Sequence, residues 1–150
     1  MKKFCLLLLA ILSITISGTF SAFGQKGTTK QITINAKGGL YNSAGTRLGY
    51  IDKNDIVRDN AGKELYFIAK DGSVVTAAGK KLGMAKKNGS YYNIDGENVL
   101  NTKDIDKETC AILDPKGHNF GTAHQNYKLH ACAAHCYWLS KEQEKAAPKH

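Results

Sequence analysis

Glycines at positions 45, 62, 79 and 96 stand 17 residues apart, and Gly117 follows 21 later. A fixed short period marks a repeat architecture built from one small supersecondary unit. Counted from its glycine, each copy is apolar five positions before it, at Leu40, Val57, Val74, Tyr91 and Ile112. Three positions after it come Leu48, Leu65, Leu82, Val99 and Phe120; six after it come Ile51, Ile68, Ala85, Thr102 and Ala123. Polar residues and glycines fill the gaps, a pattern that suits strands of about five residues. The three columns are expected to form the buried face.

The turns repeat as well. Three residues before the glycine lie Asn42, Asp59, Thr76, Asn93 and Asp114. A short polar side chain at the first position and glycine at the fourth is the preference of a type I turn, because the side-chain oxygen accepts from the turn amides. Between copies the chain reads Lys53-Asn54-Asp55, Lys70-Asp71-Gly72 and Lys87-Asn88-Gly89. Asp-Gly and Asn-Gly are strong hairpin signals, since both central residues tolerate positive φ. Past the fourth copy this turn lengthens to roughly Lys103–Glu108. The reading is an all-β fold of five consecutive β-hairpin repeats.

An isolated hairpin is marginal in water, so the copies must share a core. Closure also removes exposed sheet edges. A closed ring, small barrel or propeller-like assembly is therefore expected over an open stack, with a strand over Gln31–Asn35 completing the circle. Glycines four after the reference, Gly49, Gly83 and Gly121, predict close backbone approach near the axis.

Residues 1–24 read as a secretory leader. Lys2 and Lys3 precede an apolar run from Leu6 to Ile16, and small residues lead up to Gln25, placing cleavage after Gly24. The rest divides into a repeat domain over 25–139, which includes a C-terminal plug segment, and a polar flexible tail over 140–150. No later segment has the length and apolarity of a membrane-spanning helix. Loss of the leader lowers the formal net charge from +8 to +6. That excess favours anionic partners such as lipid headgroups or acidic glycans; export argues against nucleic acid.

The Leu-Gly-Tyr-Ile and Leu-Gly-Met-Ala strands, Leu48–Ile51 and Leu82–Ala85, together with the Asn/Asp-x-x-Gly turns, resemble a family of small exported Bacteroidetes-type proteins, the five-fold β-flower proteins. The resemblance spans about residues 32–139, including the alanine-rich, aromatic C-terminal segment. It implies a five-hairpin ring and an envelope location, periplasmic, outer-membrane-associated or extracellular. It brings no catalytic residues. This chain departs from the family in placing cysteine and histidine within the C-terminal segment.

Cys110, Cys132 and Cys136 remain after leader removal, with His118, His124, His130 and His135 close by. If Tyr127–Leu139 is helical, Cys132, His135 and Cys136 share a face. Three uses stay open for them. They are small core residues beside Leu129, Ala133 and Leu139; or Cys110 forms a disulfide with Cys132 or Cys136; or Cys132, His135 and Cys136 hold a metal, Zn²⁺ or copper, with His124 or Cys110 as a further ligand.

No nucleophile elbow, P-loop or dinucleotide fingerprint occurs, and the carboxylates Asp52, Asp55, Asp59 and Asp71 sit in or beside turns. The expectation is a protein that is not an enzyme and needs no cofactor, serving as a structural or interaction component of the bacterial envelope. Two binding readings accompany it. Lys53, Lys70 and Lys87 share a column and would line one rim as an anion-binding arc. Tyr41, Tyr50, Tyr66, Phe67, Tyr91 and Tyr92 offer rings for stacking on sugars. A partner is an envelope glycan, lipid or protein.

Overall fold

The computed structural model describes residues 31–147. The leader assigned to residues 1–24 lies outside the described residues. Eleven strands form a closed barrel followed by one helix. The strands are β1 (Ile32–Ile34), β2 (Gly39–Asn42), β3 (Arg47–Ile51), β4 (Ile56–Arg58), β5 (Glu64–Ile68) and β6 (Ser73–Thr76). They continue as β7 (Lys81–Ala85), β8 (Tyr91–Asn93), β9 (Asn98–Asp104), β10 (Thr109–Leu113) and β11 (Asn119–His124). A 3-10 turn, Gln125–Tyr127, leads into α1 (Lys128–Ala146).

Each strand from β2 to β11 pairs antiparallel with its sequence neighbours. Strand β1 closes the barrel, running antiparallel to β2 and parallel to β11. The strand expected over Gln31–Asn35 thus completes the ring, and the closed form replaces the open stack.

The hairpin tips follow their sequence code. Asn42 Oδ1 accepts from the amides of Ala44 at 3.0 Å and Thr46 at 2.9 Å, while Gly45 N donates to Asn42 O. Asp59, Asn93 and Asp114 repeat the same pair of side-chain bonds. The turns between hairpins differ from expectation. Only Asp55, Gly72 and Gly89 take positive φ there, and the residues before them do not. Each is therefore a type I turn closed by one left-handed residue, not a turn with two.

The column three after the tip glycine also behaves differently. Leu40 pairs with Gly49 and Tyr41 with Arg47, so Leu48 is an extra, unpaired residue in a β-bulge. The same shift falls at Leu65, Leu82 and Val99, and at Phe120–Gly121. A bulge re-aims its side chain. These residues are half-buried and pack on the core from one rim. The interior itself is lined by the columns five before, four after and six after, where Leu40, Val57, Tyr66, Val74 and Ile112 are fully enclosed. The glycines four after make the close approach foreseen, but between neighbouring strands: a Cβ on Gly49 would strike the Arg58 carbonyl, and one on Gly83 the Tyr92 carbonyl.

Barrel width grows with strand number; eight strands are filled by their own side chains, and eleven leave more space. Helix α1 fills it. Six consecutive residues, His130–His135, are all buried. Consecutive positions point 100° apart, so burial of all six requires walls on every side. Two ring contacts fix the passage. His135 lies against Phe120 of β11, with centroids 4.8 Å apart, and Tyr137 against Tyr66 of β5 at 4.7 Å. Strands β11 and β5 stand on opposite sides of the ring. The helix runs past Leu139 to Ala146, into the stretch assigned to a polar tail.

Candidate functional site

The lumen holds the cysteine and histidine cluster. At the rim carrying the turns between hairpins, His130 Nε2 pairs with Asp55 Oδ1 at 3.1 Å, and His130 Nδ1 has no hydrogen-bond partner. Two residues on, Cys132 Sγ donates to the Gly89 carbonyl at 3.1 Å. Cys110 Sγ, on β10, donates to the Ala123 carbonyl at 3.4 Å. Among the described residues Cys110, Cys132 and Cys136 carry free thiols.

Burial governs the protonation of this cluster. It pushes the Cys136 thiol up to about 12 and drives Cys132 higher. Burial also lowers His135, and it lowers His130 against the opposing hydrogen bond that His130 makes to Asp55. Desolvation favours the neutral form of each. At neutral pH burial holds these thiols in the protonated form, which is a weaker nucleophile than the thiolate. Among the described residues no group of three or more His, Cys, Asp or Glu converges as a metal site. Cys132, His135 and Cys136 share the expected stretch of helix, but Cys132 is turned to a carbonyl and His135 to a ring. His124, the further ligand considered, accepts from Asn126 N at the 3-10 turn.

Lys53, Lys70 and Lys87 are exposed on the turns at the rim where α1 begins. They do not form an even arc. The next position in the column is Asp104, which accepts from Lys128 Nζ at 2.7 Å. Its carboxyl is held low by the bonds from Lys128 and Gln125. Near Lys53, Asp52 binds Arg58 at 2.8 Å. Positive charge gathers instead around a shallow depression of about 290 Å³, where Lys70 and Lys87 are joined by Lys86 above Gly72 and Leu129, with Asp71 as the one carboxylate among them. Lys86 stands one place off the lysine column, and in the sequence only the Lys86-Lys87 doublet marks it.

Strand parity divides the aromatic residues. Tyr66 and Tyr91 face inward and are buried, which withdraws them from any sugar. Tyr41, Tyr50, Phe67 and Tyr92 stand half-exposed outside. Two of these carry cations: Arg47 lies 5.5 Å from the Tyr50 ring centroid and Lys86 5.2 Å from that of Tyr92. Basic groups over outward-facing rings supply both charge and stacking area.

Compared with family models, curated proteins and solved structures, the chain finds no match in any of the three. No helix among the described residues is long and apolar enough to cross a membrane.

Proposed function

We propose that this chain is a five-hairpin repeat protein of the β-flower type, exported to the bacterial envelope and acting there as a structural or interaction protein without catalysis. The observation that carries the reading is the filled lumen. With its interior occupied by its own helix, the barrel has its outer face and two rims left for contact, and the titratable groups inside are held neutral. The leader-like residues 1–24 and the resemblance through Leu48–Ile51 and Leu82–Ala85 support the location. The test is fractionation of a C-terminally tagged chain in a Bacteroidetes host, with mass spectrometry of its N-terminus. Recovery from the envelope as a form beginning at Gln25 is expected; an intact chain in the cytoplasm would overturn the proposal.

A second reading is favoured by the Lys70, Lys86 and Lys87 depression: recognition of an acidic glycan or lipid headgroup at that rim. Its signature is retention on a sulfated polysaccharide that weakens with salt. Changing Lys70, Lys86 and Lys87 together to Glu should abolish retention, and unchanged retention would reject the reading.

A further inference from the structure

The outer face of β7 continues the basic depression away from the rim. Gly83 and Ala85 face inward and are buried, so Met84 between them faces out, where it pairs laterally with Tyr92 of β8. A second depression, of about 340 Å³, lies there along Lys81, Met84, Lys86, Tyr92 and Ile94. It shares Met84 and Lys86 with the Lys70 depression, so the two form one track from the turn rim to the tip of the fourth hairpin. We propose that this track binds a linear acidic polysaccharide, with several linked sugars in contact. The proposal rests on the basic depression as an anion site and extends it down the wall.

Three observations select that ligand. Lys70, Lys81, Lys86 and Lys87 are all exposed, and none joins an ion pair among the described residues. The one carboxylate lining the track, Asp71, already accepts from Ser73 N and Ser73 Oγ at 2.9 Å. Secondly, the charges are spread out. Lys81 and Lys86 lie five residues apart along extended chain, roughly 15 Å, more than one sugar or one lipid headgroup covers. Thirdly, the surface between them is apolar and aromatic: Met84 and the Tyr92 ring, with Lys86 Nζ 5.2 Å from the ring centroid. The weakly positive C–H face of a sugar packs on the negative face of an aromatic ring, and its carboxylate or sulfate meets the ammonium beside it. Polyphosphate has no such apolar face. A bilayer resting on the rim would leave the side wall untouched. Single-stranded nucleic acid uses successive aromatic platforms, whereas here one ring serves four cations. Past Asn93 the tip carries Asp95 and Glu97, which bounds the track at that end.

Hexagalacturonate, titrated calorimetrically into the mature chain, tests the track, with digalacturonate, polyphosphate, oligothymidylate and phosphatidylglycerol vesicles as comparisons. The hexamer should bind about thirtyfold more tightly than the dimer, beyond what its repeated registers alone supply. It should also outbind the other three probes at equal charge. Tyr92→Ala should weaken the hexamer about fivefold and leave polyphosphate affinity unchanged. Lys81→Glu, at the far end, should weaken the hexamer and spare the dimer. Equal affinity for hexamer and dimer, or tighter binding of oligothymidylate or vesicles, would overturn the proposal; these comparisons use the unmodified chain, so a misfolded variant cannot obscure them. Changing Lys70, Lys86 and Lys87 together to Glu separates the two claims. If that variant loses the hexamer while Tyr92→Ala and Lys81→Glu bind it as before, the rim site stands and its extension is refuted. If the triple variant also binds as before, the anion site itself is refuted.

Discussion

The barrel wall and the helix inside it are built by opposite rules. The wall is periodic, and its shape follows from bonds made within a few residues: Asn42, Asp59, Asn93 and Asp114 each tie their own turns. The helix has no period to follow. His130, Ala131, Cys132, Ala133, Ala134 and His135 are buried because the surrounding strands enclose them, and they are small or compact because the lumen admits no more. Local code makes the wall; leftover space selects the helix.

The greatest effect should come from separating the two. A chain ending at Tyr127 would leave the interior faces of Leu40, Tyr66, Tyr91 and Ile112 without their filling, and cooperative thermal unfolding should disappear. If the shortened chain still melted cooperatively, the wall would be self-sufficient. Next comes Ile112→Ala within the wall, expected to cost about 2–5 kcal/mol by chemical denaturation as a cavity opens. In the helix the opposite change should do the harm. Ala133→Leu should cost about 1–3 kcal/mol from overpacking, while Ala146→Leu, on the exposed end, should stay within about 0.5 kcal/mol. Equal effects at the two alanines would mean that the helix is not enclosed.

Acid should distinguish the regions too. His130 and His135 have lowered pKa values in the fold, so the unfolded chain binds their protons first. Their contribution is present above the ordinary histidine value of 6.5 and is lost as pH falls through it. In the wall, Asp52 is lowered because Arg58 and the Ile56 and Asn54 amides outweigh burial. Asp71, Asp104 and Asp114 are lowered as well, so the stability these four supply is lost only as pH falls through 3.8. Denaturation midpoints should therefore decline in two steps, and a double variant, His130→Gln with His135→Phe, should flatten the upper one. A single step near 3.8 would show the histidines to be solvated. The smallest change is Asn93→Ala, which removes the two tip bonds from the Asp95 and Glu97 amides and an exposed third to Glu97 Oε2, and should cost about 0.5–1.5 kcal/mol in the same denaturation experiment.

How much was legible in the sequence follows from the same contrast. The tips, the strand-closing segment and the buried columns at Leu40 and Ile51 are written locally and could be read. The bulge could have been read as well. Positions three and six after the glycine differ by an odd number, so both cannot face inward on a regular strand; Leu48 and Ile51 already implied an extra residue between tip and core. The threaded helix could not be read, since its buried stretch lacks an amphipathic period and its enclosure depends on strands up to a hundred residues away. The pairing of His130 with Asp55, 75 residues apart, left no trace for the same reason.

Solution NMR gives the sharpest view of whether the barrel closes around its own helix. Positions 135 and 137 point some 200° apart on α1, and the structure sets His135 on Phe120 of β11 and Tyr137 on Tyr66 of β5. Nuclear Overhauser contacts between both ring pairs in one sample, with the Ala131, Ala133 and Ala134 methyls each touching strand residues, are the predicted result. Contacts confined to one face of the helix, with the opposite methyls exposed to solvent, would place α1 outside the barrel and contradict the account.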